Sequence, residues 1–138
     1  MAEPTVVELT WKGGLLFEGT AADSGMALDS DGKAGPSPVQ ALLLSLAACM
    51  AMDVAAILAK ARLDVRGIKA HLTAERAEDV PRRVVKVALH FTVEGDVAEE
   101  KIERAIALSR EKYCSVWHSM RQDIPFTTSF TVVGPTGV

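Results

Sequence analysis

Two cysteines, Cys49 and Cys114, point most directly to chemistry in this sequence. A thiol can act as a nucleophile or exchange electrons with a second thiol. Cys49 has Ser45 four residues before it and Asp53 four residues after it, so in a helix these polar side chains share one stripe. An ionised Asp53 disfavours a neighbouring thiolate, so a reactive Cys49 needs a cation from elsewhere in the fold. The other interpretation is structural, because a free cysteine also packs as a small apolar side chain.

Cys114 lies in the segment REKYCSVWHSM, with His118 four residues further on. In a cytoplasmic chain, two thiols favour a redox pair over a structural bridge. A metal site built from Cys49, Cys114 and His118 has no C-x-x-C or H-x-x-x-H companion, so it is the less favoured interpretation of these residues. His71 and His90 fall on the polar faces of predicted strands and are interpreted as surface histidines.

The residues around Cys49 predict one long helix from Pro38 to Arg62, with the sequence PVQALLLSLAACMAMDVAAILAKAR. Proline suits the first helical turn, Ser37 is a suitable N-cap, and the run has no glycine or interior proline. Asp53 is its one charge between residues 41 and 59. Because an Asp near the centre of a membrane span costs about 2.5 to 3.5 kcal/mol, the run favours a buried core helix over a transmembrane helix.

The length of this helix has a consequence for assembly. At 1.5 Å per residue it is about 37 Å long, close to the diameter of a compact chain of this size. About 110 other residues remain to cover a helix that is apolar on nearly all faces. We therefore expect an obligate homodimer in which two such helices pack together.

Composition limits the organisation and the partners. The 138 residues are 49% apolar, which fits one domain over residues 1–138: a strand-rich segment over residues 1–37, the central helix over 38–62, and a hairpin, a second helix and a last strand over 63–138. A net charge of -3 provides no basic surface for nucleic acid or an anionic membrane. Two cysteines are too few for a secreted disulfide scaffold, and the N-terminus has no basic region followed by an apolar run, so we expect a cytoplasmic protein.

Local patterns predict an α+β fold around the helix. Before it, strands at Thr5 to Trp11 and Leu15 to Thr20 form a hairpin about Lys12-Gly13-Gly14, and a short strand follows near Met26 to Asp29. After it, alternation predicts an antiparallel pair at Gly67 to Arg76 and Arg83 to Glu94. The apolar face of the second strand of that pair is predicted to contain Val85, Val87, Leu89, Phe91 and Val93.

The remaining elements carry Cys114. Asp96 and Glu99 form a D-x-x-E capping box that predicts the start of a second helix, with Cys114 at or just past its end. A last strand is predicted from Phe126 to Val133. The stripe of the second helix that faces the sheet is predicted to contain Ala98, Ile102, Ala105, Ile106, Ser109 and Tyr113.

At GPSPVQALLLSLAACMAMDVAAILAKAR and REKYCSVWHSM the sequence resembles the OsmC/Ohr family of osmotically inducible and organic-hydroperoxide-resistance proteins, closest to its YhfA-like branch. The resemblance extends over nearly the whole chain. It implies an OsmC-like fold with antiparallel sheets around a long central helix, assembled as an intertwined homodimer. It also implies that Cys49 is the peroxidatic thiol and Cys114 the resolving thiol of a cysteine-based peroxidase.

The activity so implied is the reduction of small organic hydroperoxides as part of an oxidative-stress response. Cys49 attacks the peroxide, the sulfenic acid condenses with Cys114, and a dithiol reductant restores both thiols, without metal or cofactor. Active members have a glutamate shortly after the proline that opens the helix, where this chain has Val39 and Gln40. They also have an arginine from the N-terminal strands, whereas this chain has no arginine before Arg62 and has Lys12 and Lys33 as cations there.

Two other functions are compatible with the same fold. In the first, the dimer is non-catalytic and binds a small apolar ligand in the pocket between the helices. In the second, the dimer is purely structural or regulatory. Only the enzyme should consume peroxide in a way that depends on Cys49, so this measurement distinguishes it from the ligand-binding and the structural or regulatory dimer.

Overall fold

A meander of three antiparallel strands forms the N-terminal region of the chain: β1 (Val7–Trp11), β2 (Leu16–Ala21) and β3 (Ser24–Asp29), in the order β1-β2-β3. The computed structural model describes residues 2–134 and divides into two compact units, Met1–Leu44 and Ser45–Val138. The predicted hairpin is confirmed. Its turn has Gly13 and Gly14 at φ of 107° and 57°, which glycine adopts at little cost.

Helix α1 (Pro38–Lys60) begins with a reciprocal pair of hydrogen bonds between Ser37 and Gln40. The Ser37 Oγ accepts the Gln40 N–H at 3.2 Å, and the Gln40 Oε1 accepts the Ser37 N–H at 3.0 Å. This is a capping box that satisfies two N–H groups at the helix start. It confirms Ser37 as the N-cap.

The end of α1 comes two residues before the predicted Arg62. Arg62 has a φ of 59°, its N–H donates to Ala59, and the Leu63 N–H donates to Leu58. This is the hydrogen-bond pattern of a Schellman motif, in which a left-handed residue closes the last helical turn. The sequence has no glycine at this position to signal the stop.

The second unit contains a long antiparallel hairpin, β4 (Asp64–Arg76) and β5 (Val84–Asp96). The prediction of Val85 on the buried face is wrong, because Val84 is buried there and Val85 is half-buried. The register of the hairpin shifts between Glu75 and Arg76, which marks a β-bulge. The bulge adds one residue to β5, so the alternation of buried and exposed side chains is displaced by one position at the start of the strand. From Val87 onward the predicted alternation is confirmed.

After the hairpin come α2 (Glu99–Leu108), a π turn (Ser109–Tyr113), the short helix α3 (Ser115–His118) and β6 (Phe126–Val133). Strand β6 pairs with β5 in parallel, so the expectation of purely antiparallel sheets is wrong for this pair. The connection between the two strands carries the helices, and such a crossover returns the chain in the parallel direction. The second sheet has the order β4-β5-β6.

The predicted D-x-x-E capping box at the start of α2 is also wrong. The N-cap is Ala98, and within residues 2–134 no side chain bonds to that cap. Asp96 instead ends β5, where it pairs with Asp64, so strand pairing holds its backbone before the helix begins. Glu99 and Glu100 lie in the first turn of α2, where a carboxylate interacts favourably with the helix dipole. Ala98 is exposed, contrary to the predicted stripe.

Replacing Ser37 with Ala should lower the free energy of unfolding by about 1 kcal/mol, because the Gln40 N–H loses its side-chain acceptor. Urea unfolding at fixed protein concentration, followed by circular dichroism, measures this change. Ser37→Asp is the matched control, since it keeps an acceptor oxygen and should retain most of the stability. Equal stability of Ser37→Ala and the wild type would contradict the capping role.

Candidate active site

Helix α1 presents two neighbouring stripes to its surroundings. One is apolar and almost completely buried, and consists of Leu46, Met50, Val54 and Leu58. The other, displaced by one residue, contains Ser45, Cys49 and Asp53. Cys49 is half-buried, at the border between the packed stripe and the accessible surface. This position holds the Cys49 backbone firmly while leaving some of its side chain reachable by a small reactant.

A π turn brings Cys114 into the interior. The Cys114 N–H donates to the Ser109 carbonyl five residues earlier, at 2.7 Å. A regular α-helix would place Tyr113 on the inward stripe after Ser109, as the sequence pattern predicts. The extra residue of the π turn rotates Tyr113 outward, to 49% exposure, and turns Cys114 inward, to 0% exposure. The predicted inward position of Tyr113 is therefore wrong.

The Cys114 sulfur is also the N-cap of α3. The Trp117 N–H donates to the Cys114 Sγ at 3.3 Å. The Trp117 ring packs on Phe126 with 4.6 Å between ring centroids, and the Arg110 guanidinium lies 4.8 Å from the Phe126 centroid. These contacts fix the Trp117 backbone and thereby the donor that holds the sulfur.

The two cysteines lie side by side as free thiols in the described region of the chain. Burial raises the pKa of Cys114 to about 11, and the hydrogen bond and charge of Cys49 raise it further against the opposing effect of the Trp117 N–H. Cys114 is therefore protonated at neutral pH. The site combines a reachable thiol with a buried, protonated one that is close enough to interact with it.

Asp53 is connected to Ser109, a contact that the sequence patterns did not reveal. The Ser109 Oγ donates to the Asp53 Oδ2 at 2.7 Å, and Ser109 is completely buried. One signal was present in the sequence, since Ser109 is a polar residue on the predicted apolar stripe of the second helix. Its partner could not be read from the sequence, because the two residues lie on different helices.

His118 and His90 form side-chain hydrogen bonds with groups other than the thiols. His118 Nε2 donates to the Arg110 carbonyl at 3.0 Å. His90 bonds to Ser129 and Thr131 on the neighbouring strand, and His71 lies opposite it on β4. Within residues 2–134 no cluster of three or more His, Cys, Asp or Glu side chains could hold a metal ion.

Comparisons with known proteins agree with this arrangement of elements. A family model described as OsmC-like protein matches residues 30–129. Protein YhfA of Escherichia coli strain K12 is 41% identical over 127 residues, which cover 89% of this chain and 94% of that protein.

Solved structures show the same fold. A hypothetical protein from Aquifex aeolicus VF5 is 29% identical with a TM-score of 0.89, and the match covers 96% of this chain and 98% of that one. A Legionella pneumophila protein described as an organic hydroperoxide resistance protein, OsmC, is 16% identical with a TM-score of 0.70, over 96% of this chain and 99% of that one. At that identity the second likeness is one of fold.

Alkylation should distinguish the two thiols by pH. At pH 8 we expect iodoacetamide to label Cys49 and spare Cys114, because a pKa of about 11 leaves only about one thousandth of Cys114 as thiolate. Labelling of Cys114 should rise about tenfold per pH unit up to about pH 11. Peptide mass spectrometry after timed labelling measures both sites, and preferential labelling of Cys114 at pH 8 would refute the assignment.

Proposed function

The chain belongs to the OsmC-like protein family, and on this basis we propose that it is a thiol peroxidase that reduces organic hydroperoxides through Cys49 and Cys114. The observation that carries the proposal is a half-buried thiol and a fully buried one that are close enough to interact. Proteins of the same fold described as organic hydroperoxide resistance proteins support the substrate class.

In the first step the Cys49 thiolate attacks the terminal oxygen of the hydroperoxide. A sulfur–oxygen bond forms, the oxygen–oxygen bond breaks, and the alkoxide leaves and is protonated to the alcohol. Cys49 becomes a sulfenic acid. Cys114 does not take part in this attack, because it is shielded from solvent and protonated at neutral pH.

In the second step Cys114 attacks the sulfur of the Cys49 sulfenic acid. A disulfide forms, and the hydroxyl of the sulfenic acid leaves as water with the thiol proton. The charge of Cys49 contributes to the raised pKa of Cys114, and oxidation of Cys49 removes that contribution. Electrostatics therefore favour the order in which Cys49 reacts first. A dithiol then reduces the disulfide by exchange, which regenerates both thiols and leaves the reductant oxidised.

The residues at the helix start are consistent with a site that is activated differently from the family pattern. Gln40, next to the position where the resemblance implies a glutamate, uses its side-chain oxygen to accept the Ser37 N–H. The Gln40 side chain therefore caps the helix and adds no charge near Cys49. We propose that activation of the Cys49 thiolate comes from a cation other than an N-terminal arginine.

We also propose that the protein acts as a homodimer. By length and composition alone, α1 could cross a membrane, and only 22% of its most apolar 18-residue window is buried. Large apolar side chains exposed on the helix and on the N-terminal sheet include Leu42, Leu44, Met52, Leu9 and Trp11. Monomers rarely expose apolar surface of this extent, and a second copy of the chain provides a matching apolar face.

A core helix between two subunits is favoured over a membrane span by the contacts of α1 itself. Its buried stripe packs within the second unit, and Asp53 at its middle bonds to Ser109. In lipid an ionised Asp at this depth would be costly. With two free thiols that a reducing compartment would preserve, we propose a cytoplasmic dimer that binds neither membrane nor nucleic acid.

Peroxide titration followed by intact mass spectrometry tests the catalytic proposal. One equivalent of an organic hydroperoxide should lower the mass of the wild type by that of two hydrogen atoms, which marks the disulfide. Cys49→Ser should show no change. Cys114→Ser should gain one oxygen and then further oxygens, because nothing resolves the sulfenic acid. A wild-type mass that stays unchanged would leave the non-catalytic, ligand-binding dimer as the better explanation.

Sedimentation velocity tests the assembly. We expect a single dimeric species at micromolar concentration, and Met52→Glu on the exposed face of α1 should shift it toward monomer by introducing a charge into the interface. Glu18→Gln on the N-terminal sheet is a control that adds no charge. A stable, folded wild-type monomer at this concentration would contradict the dimer.

A further inference from the structure

Ser109 connects the two elements that carry the thiols through two of its own groups. Its backbone carbonyl accepts the Cys114 N–H at 2.7 Å, and its hydroxyl donates to the Asp53 Oδ2 at 2.7 Å. Asp53 lies one helical turn after Cys49 on α1. We propose that Ser109 and Asp53 are positioning residues that hold Cys114 within disulfide-forming range of Cys49. Their importance for turnover rests on the proposed function.

Disulfide closure demands a narrow geometry. The two Cβ atoms must approach to about 3.5 to 4.5 Å with a restricted torsion about the new bond. Cys114 reaches the interior only because the π turn adds one residue after Ser109. A π turn is rare compared with a regular turn of α-helix. We therefore expect surrounding contacts to stabilise it. A loss of this turn would rotate Cys114 away from Cys49.

The Ser109 hydroxyl provides such support from a completely buried position. Its bond to the Asp53 carboxylate is short, and hydrogen bonds to ionised groups are stronger than those between neutral groups. Apolar packing holds the buried α1 stripe in the core, but it is not directional. The hydrogen bond is directional, and it fixes the rotation of α1 one turn from Cys49.

A redox equilibrium with glutathione measures this geometry without any hydroperoxide. In it the protein dithiol and oxidised glutathione give the protein disulfide and two reduced glutathione molecules, and the equilibrium constant reports how well the two thiols are held together. We expect Ser109→Ala and Asp53→Ala each to lower this constant about tenfold. The double variant should lie within about twofold of either single variant, because each one breaks the same link.

Two further variants separate positioning from stability. Asp53→Asn keeps an oxygen that can accept the Ser109 hydroxyl, so its constant should stay within about threefold of the wild type. Val93→Ala shortens a buried side chain on β5, so it should lower the melting temperature and leave the constant near the wild-type value. The proposal is overturned if Ser109→Ala and Asp53→Ala keep the wild-type constant, or if Val93→Ala lowers it equally.

The positioning role and the peroxidase activity can fail separately. If the glutathione constants fall as expected and the wild type consumes no hydroperoxide, the positioning role stands and the proposed activity is rejected. If the wild type consumes hydroperoxide and Ser109→Ala has the wild-type constant, the activity stands and the positioning role is rejected.

Discussion

The hydrogen bond from the Cys114 N–H to the Ser109 carbonyl is the interaction on which the thiol site depends. Because it spans five residues rather than four, it advances the chain by one position and turns Cys114 inward in place of Tyr113. The same rotation ends the preceding helix and allows the Cys114 sulfur to cap α3. One irregular turn thus places the second thiol beside Cys49 and fixes its hydrogen-bond donor.

Different burial makes the two thiols chemically different although they are the same residue type. Cys49 lies at the edge of the packed stripe of α1, where some of its side chain is accessible, whereas Cys114 is fully buried and protonated at neutral pH. A peroxide would meet the accessible thiol first, and oxidation of that thiol would remove a charge that disfavours the second thiolate. The difference in environment is what the proposed sequential reaction requires.

Sequence patterns predicted the regions of the fold that local interactions decide. The bounds of β6 and the start of α1, which a helix cap determines, are both found where predicted. The errors arose where tertiary contacts override local preference. Strand pairing holds Asp96 in β5 instead of at a helix cap, and a β-bulge buries Val84 in place of the predicted Val85. Both cysteines were predicted as site residues, and the link between Asp53 and Ser109 was missed because it joins distant segments.

The most direct test of the central claim is steady-state consumption of an organic hydroperoxide with an external dithiol in excess, comparing the wild type with Cys49→Ser and Cys114→Ser. We expect the wild type to turn over many times and Cys49→Ser to be inactive, since it lacks the nucleophile. Cys114→Ser should lose activity as Cys49 becomes overoxidised. Equal consumption by the wild type and Cys49→Ser would contradict the claim that these two thiols form the active site.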